Sequence, residues 1–292
     1  MLINYMELIR VPQWIKNLFV FVPLLFSLNL FDKNYFLMTL YAFVVFSLAS
    51  SFIYVVNDII DIEDDRTHPT KKSRPLASGA IKLKSAVLIA IILCVIVFVL
   101  LLRFNLDFSS FVAGFIVLNI LYSFWFKNVV ILDVFSIAAG FTIRVFAGAV
   151  VISVPVSNWL ILSTIFISLF LGVMKRHSEL VLVSNYEESH SRKVLSQYSL
   201  NFANQMATVA AAGVIICYAL YTVSERTVNA FDSEDLIYTT PFVVYGIFRY
   251  MYLEYISNKG DNTTKTVFTD FQMIATVVVY IITTVLIIYR IF

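Results

Sequence analysis

Charged side chains are scarce here: Asp, Glu, Lys and Arg make up 14% of the 292 residues, and 60% are hydrophobic. A soluble domain of this length could not bury so much apolar surface, and a mean hydropathy of +0.86 points to lipid as the solvent. Cysteine is nearly absent. Cys94 and Cys217 sit in apolar runs without CxxC spacing, which sets aside disulfides and a zinc site and predicts two buried free thiols. Glycine (8) and proline (6) are too few for the paired broken helices of a transporter. A net charge of +2, with no basic tail, excludes nucleic acid as a partner. No stretch alternates polar and apolar residues as a membrane barrel requires. The first apolar run follows Arg10 and Lys16, but it lacks a small-x-small cleavage site and is read as retained.

What remains abundant is long apolar sequence, with 27 Phe and 16 Tyr suited to lipid-facing and interfacial positions. A bilayer core takes about 20 apolar residues per helix. Runs of that kind cover 17–31, 36–57, 83–102, 108–126, 129–152, 156–174, 203–224, 236–256 and 272–291, which predicts nine membrane helices in one all-α domain, 1–292. With the N-terminus in the cytoplasm, fifteen of the 21 Lys and Arg fall on the inner side and four on the outer. That asymmetry fits the positive-inside rule and supports the nine runs as a set. It predicts a multi-pass protein of the inner (cytoplasmic) membrane. The two longest polar connections, 58–82 and 175–202, both come out cytoplasmic and carry most of the ionisable groups. They are expected to cap the site.

Charge concentrates in "NDIIDIEDDRTHPTKKSRPLASG", residues 57–79, directly after the second run. Asp58, Asp61 and Asp65 are spaced i, i+3, i+7, which aligns them on one face of a helix continuing out of the membrane. Three aligned carboxylates repel unless a cation sits among them, and an oxygen-only donor set suits Mg²⁺ completed by substrate phosphates. Lys71, Lys72 and Arg74 follow around Pro69 and Pro75. Acids that hold a metal beside bases that hold phosphate make a diphosphate site. A loop that merely binds anionic lipid heads accounts for the lysines but not for the aspartates.

The pattern Asn57-Asp58-x-x-Asp61-x-x-x-Asp65, with the "RTHPTKKSRPLASG" that follows, resembles the first aspartate motif of the UbiA superfamily of intramembrane transferases. That resemblance implies nine helices around a central cavity, Mg²⁺ and a polyprenyl substrate. Prenyltransferases of the superfamily carry a second DxxxD motif after the sixth span. Here the equivalent stretch, "KRHSELVLVSNYEESHSRKVLSQYS", has Glu179, Glu187 and Glu188 but no aspartate, and offers Lys175, Arg176, Arg192, Lys193 and Tyr198 instead. Bases in place of acids suit a second phosphorylated substrate. "RVPQWIKNLFVFVPLLFS", "YSFWFKNVVILDVFSIAAGFTIRVFAGA" and "KRHSEL" with "RKVLSQY" resemble the decaprenyl-phosphate phosphoribosyltransferase branch.

The branch implies transfer of 5-phosphoribose from phosphoribosyl diphosphate to a polyprenyl phosphate carrier. The resemblance then places Lys71 and Arg74 on the departing diphosphate. Lys16, Asn17 and Lys127 are expected at the lipid phosphate, and Lys175, Arg192 and Tyr198 at the sugar 5-phosphate. Gln13, Asn57, Tyr122, Asp133, Arg144 and Glu179 complete the expected substrate contacts. Arg144, deep in the fifth run, is either such a contact or an ion pair locking helices together. His177 and His190 are expected to be solvated. An ordinary prenyltransferase joining a polyprenyl diphosphate to an aromatic acceptor remains the alternative.

Overall fold

The computed structural model describes residues 2–67, 71–186, 193–256 and 269–290. Among them there is no strand, and seven helices are long and apolar enough to cross a membrane. The elements are α1 (Leu2–Leu8), a 3-10 helix (Val11–Phe21), α2 (Val22–Leu25), α3 (Lys33–Ile60) and α4 (Ile62–Thr67). Then come α5 (Leu83–Leu101), α6 (Leu106–Phe124), α7 (Leu132–Val151), α8 (Asn158–Tyr186) and α9 (Leu200–Val223). The chain closes with α10 (Glu225–Phe231), α11 (Thr240–Tyr255) and α12 (Phe271–Tyr289).

Two of the nine predicted runs form shorter elements. Pro23 lacks the amide hydrogen that a continuing helix needs, and the first run is covered by the end of a 3-10 helix and a four-residue α-helix. Pro241 sits in the first turn of α11, whose 16 residues reach about 24 Å, short of the ~30 Å hydrocarbon core. The other helices start where the sequence supplies a cap. Asp32, Asn105, Ser199 and Asp270 each accept a backbone N–H from the first turn of α3, α6, α9 and α12.

The chain forms two compact units. The first holds Met1–Leu24, Asp32–Phe126 and Ile143–Val154. Its small core joins Leu8, Val55, Leu76, Ile81, Ala86, Ala90 and Leu93, so the loop after α4 is packed down by Leu76 and Ile81. Gly79 ends that loop at φ +79, a left-handed conformation in which other residues are strained, and its N–H reaches Leu76 O at 3.3 Å. The second unit holds Leu25–Phe31, Lys127–Thr142 and Pro155–Phe292. In it α8 and α9 pack closely through Ala203, Ala207, Ala210 and Ala211 against Phe170, Val173 and Met174. A Cβ added at Gly213 would meet the Phe166 ring at 2.4 Å. Gly213→Ala is therefore expected to lower the thermal midpoint in detergent, because that ring must leave its packed position.

Three expectations change. Cys94 is exposed on its helix and only Cys217 is buried. The stretch 175–186 continues α8 instead of forming a loop. His177 is accordingly buried, its ring edge-on to Tyr255 at 4.8 Å.

Candidate active site

The acidic stretch is almost, but not quite, one helix. Asp61 leaves the α-region at φ −89°, ψ 10°, yet its N–H bonds Asn57 O and its carbonyl accepts Asp65 N–H, so α4 follows α3 with little loss of register. Asp58 and Asp65 are 3% and 2% exposed, and Asp61 is half-buried. The buried pair is held by cations. Arg74 Nη1 donates to Asp65 Oδ2 at 2.6 Å and lies 3.3 Å from Asp58 Oδ1. Arg10 Nη2 donates to the same Asp58 oxygen, and Lys71 Nζ stands 4.0 Å from Asp65 Oδ1. Arg10 is in left-handed conformation at φ 52° and its guanidinium covers the Tyr54 ring at 4.8 Å. Local sequence offers no sign of this partner, which lies 48 residues from Asp58.

The donor set fits a hard divalent cation: carboxylate oxygens only, no sulfur and no imidazole. No three acids converge into a closed metal cage among the described residues. Asp58 and Asp65 are instead joined through Arg74. Asn57 Oδ1 lies 2.7 Å from Ser123 Oγ, tying the motif to the end of α6.

Behind this cluster a second polar network crosses the apolar interior of the same unit. Arg144, 6% exposed, donates from Nε to Asn17 Oδ1 at 2.7 Å and rests on the Phe115 ring at 4.4 Å. Asn17 in turn donates to Ser47 Oγ at 3.2 Å and accepts from Ser50 Oγ at 3.3 Å. Trp14 Nε1 donates to Ser51 Oγ, which donates to Ile9 O. These bonds seat the 3-10 helix, with Gln13 and Lys16 half-buried on it, against α3.

The second unit has its own buried polar group. Asp133 accepts from Tyr198 Oη at 2.8 Å, and Tyr198 Oη accepts the Ile131 N–H at 2.7 Å. Arg176 Nε is 3.1 Å from Asp133 Oδ2, and Arg176 Nη1 pairs with Glu179. Burial holds the Tyr198 phenol well above its ordinary range, opposed by the Ile131 N–H and helped by its bond to Asp133. An unfolded tyrosine ionises near pH 10, so this contact's contribution is complete below that pH and is lost as pH rises beyond it. Above about pH 10 the wild-type thermal midpoint should fall more steeply with pH than that of Tyr198→Phe.

The seven long apolar helices among the described residues are those of a membrane protein, and the profile of the UbiA prenyltransferase family matches residues 18–273. The chain belongs to the UbiA prenyltransferase family. Decaprenyl-phosphate phosphoribosyltransferase of Mycolicibacterium smegmatis is 34% identical over 234 residues, covering 78% of this chain and 73% of the relative. The protein of the same name from Mycobacterium tuberculosis strain H37Rv is 32% identical over 217 residues, covering 73% and 72%. A UbiA homolog from Archaeoglobus fulgidus, solved with DMAPP and Mg²⁺, superposes with a TM-score of 0.72 at 16% identity, covering 98% of this chain and 99% of that one. The fold is thus that of a UbiA multi-pass membrane protein.

Within this UbiA chain the structure gathers Asp58, Asp65, Lys71 and Arg74 with Arg10, and it gives Asn17 to Arg144. Asp133 and Glu179 meet at Arg176, and Tyr198 holds Asp133. Tyr122, Lys127 and Lys175 are half-buried near these groups in sequence, and Arg192 lies outside the described residues. Sequence reasoning passed over Arg176 as one base among several. Its i, i+3 spacing to Glu179 is the only local signal that it belongs to a helix and a pair.

Proposed function

We propose that the protein transfers 5-phosphoribose from phosphoribosyl diphosphate to a polyprenyl phosphate at the cytoplasmic face of the membrane, in a Mg²⁺-dependent reaction. The observation that carries this reading is the Asp58–Arg74–Asp65 bridge with Arg10 and Lys71, an acid–base pairing matched to a metal-bound diphosphate. The name of the mycobacterial relatives, decaprenyl-phosphate phosphoribosyltransferase, supports a polyprenyl phosphate acceptor and a phosphoribosyl group as what is transferred.

Asp58, Asp61 and Asp65 would hold the cation, which would supply positive charge to the diphosphate. Lys71 and Arg74 neutralise the diphosphate as it departs, lowering the barrier by electrostatic stabilisation. The C1–O bond to diphosphate breaks as a lipid-phosphate oxygen forms the new C1–O bond from the opposite face, with inversion. A phosphate dianion is already a nucleophile, so no side chain has to remove a proton. Positioning and charge neutralisation supply the catalysis. Lys16, half-buried on the 3-10 helix of the same unit, is assigned to the lipid phosphate.

The test is label transfer from phosphoribosyl diphosphate into the lipid extract, using purified protein, Mg²⁺ and a long-chain polyprenyl phosphate. Transfer is expected to vanish with chelator and with Asp61→Ala. Activity only on a polyprenyl diphosphate and an aromatic acceptor would return the protein to prenyl transfer.

A further inference from the structure

Asp58 Oδ1 receives two guanidiniums, Arg10 through Nη2 and Arg74 through Nη1 at 3.3 Å, all within the first unit. The two arginines differ in what else holds them. Arg74 keeps a second acid, Asp65 Oδ2 at 2.6 Å, whereas Asp58 is the one carboxylate paired with Arg10 among the described residues. The Tyr54 ring covers the Arg10 guanidinium at 4.8 Å, and 25% of the Arg10 side chain is exposed. The backbone around it is anchored. Trp14 Nε1 donates to Ser51 Oγ, which donates to Ile9 O, so the chain on both sides of Arg10 is tied to α3. Arg10 can therefore leave Asp58 by side-chain rotation alone. The motif's charges balance as they stand: Asp58, Asp61 and Asp65 against Arg10, Lys71 and Arg74. A bare divalent cation brings two uncompensated charges to this set, and like charges a few ångströms apart in a half-buried site lower its affinity steeply. A cation that arrives on a diphosphate brings its own anion.

We propose that Arg10 is the resident counter-cation of the motif and makes cation uptake depend on diphosphate. It holds Asp58 Oδ1 against a bare divalent cation and gives that oxygen up when a diphosphate offers other oxygens to pair with. A guanidinium pairs with a carboxylate or a phosphoryl group through the same donors, so the exchange leaves no charge unmet. Arg74, with Asp65 as its second acid, stays in place. This positioning role rests on the phosphoribosyl transfer described above and adds an order to it: cation and diphosphate enter together, not cation first.

The experiment titrates the purified full chain in detergent with Mn²⁺ alone, reading bound metal by electron paramagnetic resonance, with size-exclusion profiles to check folding. Arg10→Gln should bind Mn²⁺ about tenfold more tightly than the wild type, because the competing charge is gone. Arg10→Lys keeps that charge and should stay within about threefold of wild type. Arg66→Gln is the control for charge in general. Arg66 is an exposed base next to Asp65 that pairs with Glu63, and its loss should also leave Mn²⁺ affinity within about threefold. Thermal midpoints measured with Mg²⁺, with inorganic diphosphate and with both read the coupling. The wild type should gain more from the two together than from the sum of each alone, and Arg10→Gln should lose at least half of that excess. Unchanged Mn²⁺ affinity in a folded Arg10→Gln, or an equal rise in Arg66→Gln, would overturn the exchange while leaving the transfer reaction standing. Tighter Mn²⁺ binding by Arg10→Gln, beside a wild type that transfers no phosphoribose, would reject the reaction and keep Arg10 as the counter-cation. No Mn²⁺ bound by any variant, with or without diphosphate, would remove both the exchange and the metal. If Arg10→Gln does not fold, Tyr54→Leu decides: losing the ring under the guanidinium should raise Mn²⁺ affinity in the same direction, and no change overturns the proposal.

Discussion

Asp58→Asn should lower phosphoribosyl transfer by about a hundredfold or more while leaving a folded protein. One Asp58 oxygen receives both Arg10 and Arg74, and the carboxylate is 3% exposed. Asparagine keeps its shape and removes its charge, so two guanidiniums are left with Asp65 as their acid. Both arginines are about a quarter exposed, at 25% and 29%, and water can take over part of their solvation. The stability loss is therefore expected to fall below the ~3–5 kcal/mol typical of breaking a fully buried pair. The catalytic loss is larger, because removing one preorganised group that acts on developing charge usually costs about 10²–10³ in rate. Initial rates across a Mg²⁺ titration check it: the apparent metal requirement should rise as turnover falls. Activity within threefold of wild type would reduce Asp58 to a counter-ion for Arg10.

Gly148→Ala should damage both stability and activity, through a contact of backbone with backbone. A Cβ at residue 148 would stand 2.1 Å from Val20 O and 2.9 Å from Val20 C. No rotamer relieves that, so the 3-10 helix must move away from α7. Asn17 lies on the same 3-10 helix, and Arg144 is one turn before Gly148 on α7. Displacing one from the other lengthens the 2.7 Å bond on which the buried Arg144 rests. Overpacking costs about 1–3 kcal/mol, and a hydrogen bond to a charged group adds about 1.5–3. A clear drop in thermal midpoint with loss of transfer is expected. Gly114→Ala is the control: nothing lies within 4 Å of its added Cβ, and alanine favours a helix interior by up to about 1 kcal/mol. If both variants behave alike, the close approach of Val20 and Gly148 is not what seats the 3-10 helix.

The ends of α3, α5, α6, α7 and α9 lie within a few residues of the apolar runs, because lipid demands a continuous apolar surface and the caps at Asp32, Asn105 and Ser199 are local. The acid–base motif is equally local, since i, i+3, i+7 spacing fixes a common face before any tertiary contact forms. Residues 175–186 were harder. Charges there predict a cytoplasmic loop capping the site, but Arg176 and Glu179 pair on the helix and Asp133 meets Arg176 from α7, so α8 continues.

The sequence by itself determined a membrane-spanning helical protein with a diphosphate-type motif, because hydropathy and side-chain spacing act over a few turns. Only the tertiary structure decided which charges meet. Arg10 joins Asp58 across 48 residues, Tyr198 joins Asp133 across 65, and Asn17 joins Arg144 across 127. Nothing local selects those partners. In an interior where an unmet charge is costly, packing of distant segments assigns each one its counterpart.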